Sequence, residues 1–99
     1  MTTSLISQAF KKCKEEDRPA LLTYTVAGDP TKKISLDILK SISKNIDIIE
    51  SGMAFSTPIA DGGDIQTSAH RAIQAGINLN ETFKIIKKFK KIEYSKPVI

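Results

Sequence analysis

The sequence predicts an α/β fold built on a parallel sheet, and three observations carry that prediction. Two short apolar runs rich in β-forming residues, "ALLTYTVA" (20–27) and "IDIIES" (46–51), alternate with segments of helical period. The strands are separated by helices, so each passage must cross over and leave neighbouring strands parallel, with the helices outside the sheet. The closing "KPVI" reads as the first residues of a third strand. Two strands and a stub cannot form a complete parallel sheet buried on both faces, and a (β/α)8 barrel takes roughly 250 residues. The 99 residues are therefore read as the N-terminal portion of one α/β domain, the opening of a TIM barrel that is incomplete within this chain. The alternative is a small independent α+β domain that ends in a short strand.

Each element has its own signal. Leu5, Ile6, Ala9, Phe10 and Cys13 recur at three-to-four spacing, so residues 4–16 form an amphipathic helix that Pro19 ends. The first strand is bounded by a "GDP" turn. Asp29 as N-cap and Pro30 at the first helical position then start a helix with Ile34, Ile38 and Ile42 along one face, flanked by Leu39 and Ile46. The second strand leads into a long loop from Gly52 to about Gly63, punctuated by Pro58 and two glycines. "DIQTSAHRAIQAG" is a helix closed at Gly76, and Asn78 with Glu81 forms a capping-box spacing for another. Leu79, Phe83, Ile86 and Phe89 are the expected buried stripe of that last helix.

Composition narrows the function classes. Hydrophobic content of 40% and charged content of 26% are ordinary for a soluble globular chain, with no apolar run of membrane-spanning length and no signal peptide. A single cysteine, Cys13, makes neither an internal disulfide nor a Cys-based metal site, which fits a reducing cytoplasm. The net charge of +4 invites a nucleic-acid reading. Against it, only Arg18 and Arg71 are arginines, and most lysines lie at helical positions, as in "FKIIKKFKKIE", where they read as a solvated face.

Two carboxylates stand out. In a parallel barrel, catalytic groups gather where strands end. Glu50 ends the second strand, and period-two alternation places it on the side of Ile46 and Ile48, two residues that should be buried. Desolvation there would push its pKa up, which suits a group that takes and gives a proton near neutral pH. The simpler reading is a glutamate emerging into solvent. Asp61, in "PIADGG", is a natural turn residue, but the loop can bring it back over the barrel mouth near Glu50, where two carboxylates divide acid and base roles. His70 has no second ligand at metal spacing and reads as a surface residue. Ser56 and Thr57 have no local base to make a nucleophile. "AGDP" has one glycine and is not a nucleotide phosphate loop.

Taken together, "LLTYTVAGDP", "IIESG" and "FSTPIADGGDIQTSAHRAIQAGI" resemble the N-terminal third of the tryptophan synthase α-subunit, in register across nearly the whole chain. That family shows an "AGDP"-like turn, a strand ending in glutamate, and an "ELG-P-SDP-ADGP-IQ" loop. The resemblance implies a (β/α)8 barrel and retro-aldol cleavage of indole-3-glycerol phosphate to indole and glyceraldehyde 3-phosphate. Indole then passes to a β-subunit within an α2β2 assembly, where pyridoxal phosphate joins it to serine; the α-subunit needs no cofactor or metal of its own. Glu50 matches the family's proton-carrying glutamate and Asp61 the aspartate that holds the indole N–H. Tyr24 falls where an aromatic residue lines the indole pocket. Ser56, Thr57 and Pro58 fall in the loop that faces the β-subunit. Ser51, Ala54, Thr57 and Gly63 replace a usual Leu, Pro, Asp and Pro; the uncharged Thr57 removes a possible charge pair across that interface. Competing expectations are another phosphate-sugar barrel lyase, and a truncated copy acting only as an interaction fragment.

Overall fold

The computed structural model describes residues 4–54 and 62–99. Its elements are α1 (Leu5–Glu15), β1 (Leu22–Val26), α2 (Lys32–Ile42), β2 (Ile48–Gly52), α3 (Gly63–Gln74) and α4 (Leu79–Ile92). β1 and β2 pair in parallel, with Leu22 opposite Ile48, Tyr24 opposite Glu50 and Val26 opposite Gly52. The last residues add a parallel bridge, Val98 opposite Ile49. Ile49 donates its N–H to Pro97 at 3.0 Å, Ile99 donates to Ile49 at 2.8 Å and Ser51 donates to Ile99 at 2.8 Å, so 97–99 lies parallel along the other edge of β2.

The sheet and helices meet in one core of Val26, Leu39, Ile46, Ile49, Ala69, Ala72, Ile77, Ile85 and Phe89. α2 packs against α4, and α3 against β1. Ile49 and Phe89 have no exposed surface and Leu39 only 1%, so they form the centre of the layer between strands and helices. Ile48 is equally buried but lies outside that cluster, as alternation along a strand requires.

Three local expectations need correction. The N-cap of α2 is Thr31, whose hydroxyl accepts the Ile34 N–H at 3.2 Å. Asp29 is instead taken up by side chains of α3, and the Asp29–Pro30 peptide is cis. Second, the buried line of α2 is Ser35 and Leu39 with Ile42 beside them, while Ile34 is 45% exposed. Third, α4 buries Thr82, Ile85 and Phe89, leaving Leu79 and Phe83 exposed. The cause is the same in both helices. A small hydroxyl residue occupies a core-facing position and satisfies itself there. Ser35 Oγ accepts the Gly28 N–H at 3.0 Å, and Thr82 Oγ1 donates to the Asn78 carbonyl at 2.9 Å. An apolar count passes over such residues and settles on the neighbouring face. The other helix ends follow their sequence signals. Asn78 accepts the Glu81 N–H at 2.9 Å, and Gly76, at φ +93°, makes the left-handed step after α3.

On α1 only Cys13 is buried; Ile6 and Phe10 are exposed. What ties the start of β1 down is a polar contact. Asp47, just before β2, accepts two N–H bonds from the Arg18 guanidinium at 2.8 and 2.9 Å and a third from the Leu21 backbone at 2.8 Å. The Arg18 bonds hold the Asp47 carboxyl well below the usual carboxylate range. A carboxylate whose pKa is lower in the folded state stabilises the fold above its unfolded value, and that contribution is lost as pH falls through the folded one. Asp47→Asn in the full-length protein should therefore lose about 1–2 kcal/mol at neutral pH, discounted because Arg18 stays in water. Its stability should also fall less steeply than wild type between pH 5 and roughly 2 in urea melts. Parallel pH curves for the two proteins would rule this role out.

Candidate functional site

The parallel register sets Glu50 and Tyr24 side by side on one face of the sheet. Contrary to the expectation that Glu50 ends the second strand, β2 runs on through Ser51 and Gly52, so both residues lie at the middle of their strands. Their shared face follows from period two. Ile49 and Ser51 face the opposite way from Glu50, so the carboxylate projects from the face that the helices do not cover. Glu50 is exposed, and its neighbour Tyr24 is 41% exposed. Ile48, one step back on the same face, is buried, so the apolar layer ends between these two residues.

Gly52 explains how the tyrosine sits. A Cβ built on Gly52 runs into the Tyr24 hydroxyl and the ring carbon that bears it. The phenol therefore lies along the strand ends, over the glycine. Sequence reading grouped Gly52 with Glu50 as a motif but gave it no task; its task is to leave this space.

Beside these strand ends lies a polar cluster that sequence reading did not find. Asp29, in the turn after β1, accepts bonds from Arg71 Nε at 2.8 Å and Arg71 Nη2 at 2.9 Å, and from the Ser68 hydroxyl. These bonds, the Arg71 ones foremost, lower the Asp29 pKa. Its members are 42 and 39 positions apart in sequence, and no local spacing links them. Gly28, at φ +90°, makes the tight turn beside it, and a Cβ there would come within 2.7 Å of Ile77.

Asp61, Ser56, Thr57 and Pro58 lie outside the described residues. His70 is exposed on α3. Among the described residues, no group of three His, Cys, Asp or Glu side chains is placed to hold a metal ion. No described helix is long and apolar enough to cross a membrane.

Comparison with known proteins agrees on one family. The family model described as tryptophan synthase alpha chain matches residues 10–99. The tryptophan synthase alpha chain of Pelagibacter ubique (strain HTCC1062) is 65% identical over 96 residues, 97% of this chain and 36% of its own length. Tryptophan synthase subunit alpha from Legionella pneumophila superposes with a TM-score of 0.93 at 28% identity, covering 98% of this chain and 37% of that one. A chain from the tryptophan synthase α2β2 complex of Pyrococcus furiosus superposes with a TM-score of 0.75 at 42% identity, covering 80% of this chain and 33% of that one. The chain thus spans about a third of the length of these relatives, and its α/β architecture is the opening part of their barrel. With a family model matched along nine-tenths of its residues, the chain belongs to the tryptophan synthase alpha chain family.

Proposed function

We propose that residues 1–99 are the N-terminal portion of a single (β/α)8-barrel domain that cleaves indole-3-glycerol phosphate to indole and glyceraldehyde 3-phosphate. The observation that carries this reading is the carboxylate of Glu50 paired across the sheet with Tyr24, in a chain of this family. Breaking the bond between indole C3 and the glycerol chain requires a proton at C3 and loss of a proton from the hydroxyl on the adjoining carbon. The bonding pair of the broken bond moves into the indole ring, and the hydroxyl-bearing carbon becomes the aldehyde. One carboxylate that moves between the two positions performs both transfers, and this reading gives that part to Glu50. In the same reading, Asp61 accepts the indole N–H and stabilises the positive charge that develops when C3 is protonated. Tyr24 lines the indole pocket.

The α-subunit reaction is acid–base chemistry and uses no cofactor. Pyridoxal phosphate belongs to the β-subunit, which receives indole; Ser56, Thr57 and Pro58 would face that partner in an α2β2 assembly. A cytoplasmic location accords with a biosynthetic enzyme of this kind. Incubating the full-length protein from its native gene with indole-3-glycerol phosphate should release indole and glyceraldehyde 3-phosphate in equal amounts. Release of neither product would leave the chain a non-catalytic member of its family.

The seating of Tyr24 gives a narrower expectation. Gly52→Ala forces the phenol ring aside and should raise KM for the substrate roughly tenfold, the effect of one disturbed pocket contact, with a smaller change in kcat. An unchanged KM would remove Tyr24 from the binding pocket.

A further inference from the structure

We propose that Arg71 and Ser68 of α3, gripping Asp29 in the turn after β1, are positioning residues that fix α3 along its axis and so place the chain that enters the helix at Gly62. The need for such a clamp is visible in how the rest of α3 is held. Among the described residues, its buried members are Ala69 and Ala72, with Ile65 packed part-way. Alanine presents no ridge to interlock with the sheet, so this face allows close approach but gives weak resistance to sliding. At the N-terminus, Gly62 provides no side-chain cap.

The other side of the clamp is firm. The turn that carries Asp29 is pinned by the buried bond from the Gly28 N–H to Ser35 Oγ at 3.0 Å, and by the Asp29 N–H to the Val26 carbonyl at 3.3 Å. The Asp29 side chain is 13% exposed, whereas Arg71 is 52% exposed. A half-exposed ion pair adds little to overall stability. Two parallel N–H bonds from a planar fork, joined by the Ser68 hydroxyl one helical turn away, do restrict both the distance and the angle between the elements. Ser68 and Arg71 lie three residues apart and so share one face of the helix. The value of the cluster is geometric.

The consequence for turnover rests on the lyase reading above, because Asp61 immediately precedes Gly62 in the sequence. A shift of about 1 Å in a reacting group costs up to about 10²-fold in rate. Arg71→Lys keeps the charge and loses the fork, which makes it the informative variant; Asp29→Asn is its counterpart from the other side. In the full-length protein, each should lower kcat roughly tenfold or more while KM and the melting temperature change little. Amide hydrogen exchange at Gln66 and Thr67, in the first turns of α3, should become several-fold faster. Normal kcat per folded molecule in both variants would overturn the positioning role, and so would a fall in kcat that merely tracks a lost melting temperature. If the wild-type protein releases no indole, the lyase reading fails separately. The exchange rates then decide the clamp alone, unchanged rates overturning it.

Discussion

Replacing Glu50 by glutamine in the full-length protein is expected to abolish indole release while leaving the fold intact. Glutamine keeps the size and the hydrogen-bonding capacity of the side chain but cannot take up and return a proton at neutral pH. A positioned acid–base group is worth about 10²–10⁴-fold, and here one group serves two transfers, so the upper part of that range applies. The fold should not suffer, because glutamine is nearly isosteric with glutamate and no described ion pair depends on Glu50. Circular dichroism and the urea midpoint should match wild type within experimental scatter. A variant that releases indole at near the wild-type rate would show that the proton is carried by another group.

Asp61→Asn should lower turnover by a similar factor for a different reason. The indole nitrogen gains positive charge as C3 is protonated, and an anion beside it stabilises that charge only while it remains an anion. Asparagine retains an oxygen that accepts the N–H bond, so substrate binding should be largely preserved and the loss should fall on kcat. The split between the two constants is the measurement that matters. A rise in KM with kcat unchanged would make Asp61 a binding residue. No change in either would return it to the turn residue that "ADGG" suggests on local grounds.

The legible and illegible parts of the fold divide along a physical line. Strand and helix order could be read because period and capping are local properties. Asn78 three residues before Glu81, and Gly76 after a helical run, say where helices start and stop without reference to anything distant. Glu50 could be read as a candidate because an acid closing an apolar run is also a local feature, although β2 continues two residues beyond it. The buried faces of α2 and α4 were harder, because Ser35 and Thr82 are polar residues whose core positions depend on bonds to backbone atoms. The Asp29 cluster was not legible at all. Its residues come from a turn and a helix that only the tertiary fold brings together, and local sequence gave Asp29 the different and plausible task of capping α2. The partnership of Tyr24 with Glu50 belongs between these cases. Alternation places each residue on a face, but strand register decides that they are neighbours.

The most direct test of the account is the crystal structure of the full-length Asp61→Asn variant, slowed in turnover, with indole-3-glycerol phosphate bound. The account predicts a Glu50 carboxylate oxygen within about 2.6–3.2 Å of the glycerol hydroxyl next to the indole, with the indole ring against Tyr24. A substrate bound away from the end of β2, with Glu50 out of reach of both that hydroxyl and C3, would contradict it.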